Sequence, residues 1–167
     1  AWSAEISGEL KQWHTVSLIF DGPIASEGSD RSPFVEYELT AWLIHPQTTQ
    51  RFEVAGIFAA DGQAAATSAT GGDKWRDRFS PPLTGTWTYR AELSKRGQTI
   101  PIAGSSGKFD VTESDKSGPD FRHHGHLQYV GQRYLPFAGS GQYCLKAGTD
   151  SPETFLGYHD FDGTWLD

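Results

Sequence analysis

The densest concentration of proton or metal chemistry in this 167-residue sequence is Arg122-His123-His124-Gly125-His126. In an extended chain His124 and His126 fall on one side, and two imidazoles on one face can begin a metal site. A stable site needs further ligands, and no third is identifiable, so a solvated linker segment competes with the metal reading. No metal and no other cofactor is assigned. Carboxylates are plentiful: Asp61, Asp73, Asp77, Asp115, Asp120, Asp150, Glu153, Asp160 and Asp162 are among 21 Asp and Glu. Glycoside cleavage needs two carboxyl groups held ~5–10 Å apart, and abundance in an acidic chain says nothing about pairing. Asp160-Phe161-Asp162-Gly163 resembles part of a calcium loop but lacks the other ligand positions and the closing Glu. Cys144, the single cysteine, lies in an apolar run and reads as a buried small hydrophobe rather than a nucleophile. Ser140 stands in Ala138-Gly139-Ser140-Gly141-Gln142, where a nucleophile elbow would need Gly at 138. Gly71-Gly72-Asp73-Lys74 has neither the spacing nor the hydroxyl residue of a phosphate-binding loop. The sequence carries no self-sufficient catalytic motif, and no catalytic residue is assigned.

Aromatic residues in polar surroundings offer a different chemistry. Trp42, with Phe34 and Ile44, falls opposite the Val35-Tyr37-Leu39 face of its run, and Trp75 sits among Asp73, Lys74, Arg76, Asp77 and Arg78. A pyranose ring has an apolar face and a rim of hydroxyls, so flat rings beside hydrogen-bonding side chains suit sugar binding. Trp42, Trp75, Asp73 and Arg76 are therefore candidate carbohydrate contacts. The competing reading is that both sheet faces are covered, one of them by a neighbouring domain.

The elements that would position these residues are strands. In Trp13 to Phe20, Val16, Leu18 and Phe20 share a face at period two, and Asp21-Gly22-Pro23 is expected to close the run. Phe34 to His45 places Val35, Tyr37, Leu39, Ala41 and Leu43 on one face, and Pro46 ends it. Arg51 to Ala60 stops at Asp61-Gly62, and Lys74 to Phe79 stops before Pro81-Pro82. Gly85 to Leu93 alternates Trp87, Tyr89, Ala91 and Leu93 with Thr86, Thr88, Arg90 and Glu92, and Gly107 to Val111 adds a short strand. Some six or seven short strands spaced by turns predict an all-β, immunoglobulin-like antiparallel sandwich over 1–112. Tyr89 is either the corner tyrosine of such a domain, its hydroxyl bonded to upstream backbone, or ordinary core. Residues 113–126 are polar and turn-rich and read as a linker. In 127–167, Leu127 to Val130 and Tyr134 to Phe137 flank a hairpin signal, Gln142 to Ala147 is a further strand, and Ser151-Pro152-Glu153 is a helix start. A strand followed by a helix start is half of a βα unit, so this extension looks like the beginning of a (β/α) barrel.

Composition excludes several classes. Fourteen Lys and Arg give a net charge of −7, which argues against a nucleic-acid partner, because phosphates require clustered positive charge. No apolar run approaches the ~20 residues of a membrane span. With one cysteine there is no intrachain disulfide, so 6 Trp, 10 Phe and 6 Tyr must supply the core. Methionine is absent even at position 1, and the chain is expected to begin after a cleaved signal peptide or at a boundary introduced for expression. Secretion or a periplasmic location is the corresponding expectation.

Several segments together carry a family resemblance. They are Trp13-His14, Phe20-Asp21-Gly22-Pro23, Ser32-Pro33-Phe34, Gly56 to Gly62, Lys74-Trp75-Arg76, Thr84 to Tyr89 and Ser114 to Phe121. Phe137 to Gly141, Leu145 to Glu153 and Asp160 to Thr164 complete the set. The chain resembles the uncharacterised N-terminal β-sandwich domain found ahead of secreted bacterial proteins classed as barrel-type glycoside hydrolases, some of them labelled collagen-binding-domain proteins. The resemblance implies a long (β/α) barrel downstream, holding the catalytic carboxylates, with Gln142 to Gly148 as its first strand. Asp150, Glu153, Asp160 and Asp162 would then belong to a loop at the active-site rim. It implies a non-catalytic accessory module whose partner is a polysaccharide or its own downstream catalytic domain. The alternative is a glycosidase fragment contributing those rim residues.

Overall fold

The computed structural model describes residues 4–145. The chain is an all-β antiparallel sandwich. One sheet has the order β1 (Glu5–Gly8), β2 (Val16–Ser26), β6 (Gly71–Phe79), β5 (Ile57–Phe58). In the other, β4 (Gln50–Ala55), β3 (Tyr37–His45) and β7 (Gly85–Lys95) lie side by side. The far edge of β7 is shared by β8 (Gln98–Ile100) and β9 (Ser106–Val111). Three single helical turns, α1 (Pro33–Glu36), α2 (Ala64–Thr67) and α3 (Phe121–His124), interrupt the connections. None is long enough to cross a membrane as a helix.

Period-two alternation builds the interior. Val16, Leu18 and Phe20 of β2 and Trp75 and Phe79 of β6 meet Leu39, Ala41 and Leu43 of β3 and Trp87, Tyr89, Ala91 and Leu93 of β7. The Trp87 ring packs 5.1 Å from Phe79 and 5.8 Å from Phe52, centroid to centroid. Its Nε1 donates to the Leu83 carbonyl at 3.0 Å, so this tryptophan makes the local corner bond expected of a tyrosine. Tyr89 is core, and its ring lies against β9 at Gly107, where a Cβ would come within 2.7 Å of the Tyr89 oxygen.

Three strand boundaries differ from the sequence expectation. Residues 33–36 do not extend β3. Ser32 caps a helical turn through Oγ, which accepts from Phe34 N–H, and Pro33 opens the turn. Val35 is left 87% exposed, because local capping overrides alternation there. Asp21-Gly22-Pro23 does not end β2, since a register shift between Asp21 and Ala25 lets the ladder resume at Ala25. The run Arg51 to Ala60 is two strands in two sheets. The chain crosses between them at Gly56, where a Cβ would meet Leu39 Cδ2 at 2.4 Å and Asp77 Oδ1 at 2.5 Å.

The segment after Val111 is tied to one end of the sandwich. Gln12 N–H donates to Thr112 O and Thr112 N–H to Leu10 O. Lys11 Nζ lies 2.6 Å from Asp115, and His126 donates from Nε2 to Ser80 O at 2.9 Å. Leu127 and Phe137, in the two stretches that flank the hairpin signal, form an isolated antiparallel bridge, and Pro136 bridges Tyr143 in the same sense. Cys144 is half-buried rather than enclosed.

Candidate functional site

On β3 the residues that miss the core are Glu38, Thr40, Trp42 and Ile44, and they form the outer face of the five-stranded sheet. The register sets their neighbours. Trp42 lies between Glu53 of β4 and Arg90 of β7, Ile44 between Arg51 and Thr88, and Thr40 opposite Glu92. Trp42 is half-buried, and its Nε1 donates to Glu53 Oε2 at 3.1 Å, which fixes the indole plane. A groove of about 380 Å³ is lined by Trp42, Ile44, Arg51, Arg90 and Glu92. A second hollow of about 230 Å³, lined by Glu38, Thr40, Trp42, Glu53, Glu92 and Ser94, adjoins it across the indole. Among the described residues no ring or cation stacks on Trp42. In a larger depression of about 570 Å³ near α1 the aromatic face is already taken: Lys95 Nζ covers the Tyr37 ring at 4.8 Å, and Glu36 is paired with Lys95 and Arg96.

The other three sugar-contact candidates are not beside Trp42. Trp75 is 2% exposed and points into the core. Its ring packs 4.9 Å from Tyr37 and 5.1 Å from Phe58, and its Nε1 donates to Pro23 O at 3.2 Å. Its charged sequence neighbours misled the reading, because Lys74, Arg76 and Arg78 alternate away from it onto the opposite face of β6. Trp75 therefore offers no face to a sugar. Asp73 is engaged by Lys74 at 3.2 Å. Arg76 lies on the outer side of the four-stranded sheet, across the sandwich from Trp42, with Nη1 donating to Gly62 O. Asp150, Glu153, Asp160 and Asp162 lie outside the described residues.

Two further groupings have suggestive chemistry. Glu9, His14 and Asp115 bring three donor atoms within 4.8 Å of one another. Lys11 already sits 2.6 Å from Asp115, and Lys116 lies 3.2 Å from Asp115 and 3.8 Å from Glu9. Two ammonium groups thus occupy the position of a cation. The hydrogen bonds from Lys11 and Lys116 hold the Asp115 carboxyl down to about 2. His124 and His126 diverge: His124 Nδ1 faces Ser140 Oγ at 3.0 Å, while His126 bonds to Ser80 and meets the Trp13 ring edge-on. Among the described residues no carboxylate meets the His124 imidazole beside its contact with Ser140.

Asp77 is the most unusual ionisable group. It alternates inward on β6, is 1% exposed, and neither carboxyl oxygen has a hydrogen-bond partner among the described residues. Burial pushes its carboxyl up to about 7.

The model of the family described as a domain of unknown function, DUF5060, matches residues 9–94, just over half of the sequence. The chain belongs to the DUF5060 family. That match takes in β2 through most of β7, including the Trp42 face. No curated protein matches the chain. A solved structure of a "putative glycoside hydrolase" from Bacteroides vulgatus is similar in fold, with a TM-score of 0.51 and 21% identity. The similarity covers 80% of this chain and 20% of that one, so the chain spans about a fifth of the length of that relative.

Arg51, Glu53, Arg90 and Glu92 were not singled out as site residues by sequence reasoning. The outward phase of Arg90 and Glu92 is visible in their alternation with Tyr89 and Ala91. Their position beside Trp42 depends on strand register, which no local pattern encodes.

Proposed function

We propose that this DUF5060 chain is a non-catalytic accessory module of a longer glycan-processing protein, holding carbohydrate on the outer face of its five-stranded sheet. The observation that carries this reading is Trp42, an indole hydrogen-bonded in place and free of stacking partners among the described residues, with ionic side chains on both flanking strands. A sugar ring laid on that indole buries apolar carbon, while Glu53, Glu92, Arg51 and Arg90 accept from or donate to its hydroxyl rim. The fold similarity to a protein described as a glycoside hydrolase, of which such a sandwich is only a fifth, supports the accessory role. Affinity electrophoresis through gels containing neutral and acidic polysaccharides tests it. Retention in at least one gel, lost in Trp42→Ala with circular dichroism unchanged, is expected; migration unaltered by every polysaccharide refutes glycan binding.

A second reading rests on a separate observation. Leu127, Tyr129, Val130, Tyr134, Leu135, Tyr143 and Leu145 are all exposed within one short segment. Such a concentration suits packing against the rest of a longer protein. The two readings use different surfaces and are compatible. Contribution of Asp150, Glu153, Asp160 and Asp162 to an active-site rim belongs to this second reading.

A further inference from the structure

We propose that the glycan bound on the Trp42 face is a mixed one, carrying a uronate carboxylate at the Ile44 end and a neutral sugar at the Glu38 end. This deepens the reading of that face as the glycan surface and rests on it. The charges on the face are graded along β3. Glu38 and, opposite Thr40, Glu92 mark one end; Glu53 and Arg90 flank Trp42 in the middle; Arg51, opposite Ile44, marks the other end. Arg51 has no carboxylate within ion-pair distance among the described residues, and Arg90 reaches Glu92 only at 3.8 Å with its side chain 74% exposed.

Arg51 and Arg90 stand diagonally across β3, one strand away on either side. Strand spacing of ~4.8 Å and a rise of ~3.4 Å per residue put their Cα atoms about 12 Å apart. Two long guanidino side chains span that gap to meet one carboxylate between them, directly over the groove that Trp42 and Ile44 floor. Guanidinium forks match carboxylate geometry, whereas a purely neutral glycan leaves Arg51 without a counterpart and Arg90 with only its exposed contact to Glu92. At the other end the hollow is walled by Glu38, Glu53 and Glu92. Carboxylates there accept sugar hydroxyls and repel a second uronate, so the face discriminates against homopolymers of uronic acid. A net charge of −7 makes nonspecific attraction of a polyanion unfavourable, so retention of an acidic glycan has to come from this local arrangement.

The test uses the full 167-residue chain in affinity electrophoresis and calorimetry. The probes are polysaccharides whose uronates branch from or alternate with neutral sugars, such as glucuronoxylan and arabinogalactan. Each is run beside its own carboxyl-reduced form, with polygalacturonate as the homopolymer. Retention of a mixed acidic glycan is expected to fall roughly tenfold on carboxyl reduction and by a similar factor in Arg51→Gln or Arg90→Gln. Polygalacturonate is expected to bind more weakly than the mixed glycan. Equal retention of native and reduced forms, tighter binding of polygalacturonate, or retention indifferent to both arginine variants overturns the uronate assignment while leaving Trp42 as the glycan contact. No retention on any probe, native or reduced, removes the glycan surface itself and this inference with it. Unchanged circular dichroism in the variants excludes misfolding as the cause of a loss.

Discussion

Replacing Asp77 with Asn should reverse part of the pH dependence of this domain's stability. An exposed aspartate releases its proton near 3.8, and the buried Asp77 keeps its proton until about pH 7. Between those values the folded chain binds one proton that the unfolded chain has lost. Stability therefore falls as pH rises, opposite to the usual behaviour of a paired carboxylate. At about 1.4 kcal/mol for each pH unit of that window, Asp77 removes about 4 kcal/mol of stability between pH 4 and pH 8. The cause is desolvation: among the described residues no charged group couples to the carboxyl, and neither oxygen has a hydrogen-bond donor.

The wild-type profile by itself does not isolate this contribution. Asp61, Glu36, Asp115 and Asp120 are shifted downward by their hydrogen-bond partners and lose stability as pH falls. These groups are present in both proteins, so they cancel in the difference between wild type and Asp77→Asn. Any constant cost of a buried amide at position 77 also drops out of the change in that difference with pH. Urea unfolding of both proteins at unit steps from pH 4 to pH 8 is the assay. The stability of Asp77→Asn relative to wild type should rise by about 4 kcal/mol across the series, with most of the change complete by pH 7. A difference that stays flat, or one that moves the other way, would show that the folded protein supplies Asp77 with a donor or with solvent, and the reasoning would fail.

Two other outcomes follow from the same packing. Trp75→Ala should cost about 3–5 kcal/mol in denaturant unfolding, because it empties the space between Tyr37, Phe58 and Gly22, and glycan retention should persist wherever the domain remains folded. A nearly neutral Trp75→Ala, or one that abolishes retention in a folded protein, would contradict a purely internal role. Lys11→Gln combined with Lys116→Gln should remove hydrogen-exchange protection from residues 112–116 while leaving β3 and β7 protected. In wild type that protection should survive acidification until the pH falls toward about 2, where Asp115 gains its proton. Unchanged protection of 112–116 in the double variant would show that backbone pairing to Leu10 and Gln12 suffices.

The two tryptophans show where the sequence was informative and where it was not. Alternation along Tyr37–His45 has a clear phase, since Leu39, Ala41 and Leu43 are unmistakably the buried set, so Trp42 had to face out. Along Gly71–Phe79 the phase is ambiguous. Inward Trp75, Asp77 and Phe79 include a carboxylate, and outward Lys74, Arg76 and Arg78 surround the tryptophan with charge in linear order. A buried aspartate is costly and uncommon, so with Asp77 among its charged neighbours Trp75 read as a surface candidate, and the inward Asp77 hides the true phase of the strand. The same unusual residue thus explains the misplaced site and supplies the strongest pH signal. The strand missed near the N-terminus, Glu5–Gly8, is four residues long, and Gln98–Ile100 is three, too short for any periodicity to register.

What the sequence withheld about the site is relational rather than local. Arg51, Glu53, Arg90 and Glu92 are unremarkable surface residues one at a time, and polar alternation is what any half-exposed strand shows. They become a graded surface only when β4 and β7 pair with β3 in this register. A slip of one residue in either ladder would turn those charges inward and bring their apolar neighbours out beside Trp42. The inward set guards against that slip: Phe52 and Val54 of β4, and Tyr89, Ala91 and Leu93 of β7, are core contacts. The energy that fixes the register is thus the burial of the inner face, and the placement of charge around the outer indole follows from it. Substitutions on the outer face should therefore change what the domain holds with little effect on whether it folds, and substitutions on the inner face should do the reverse.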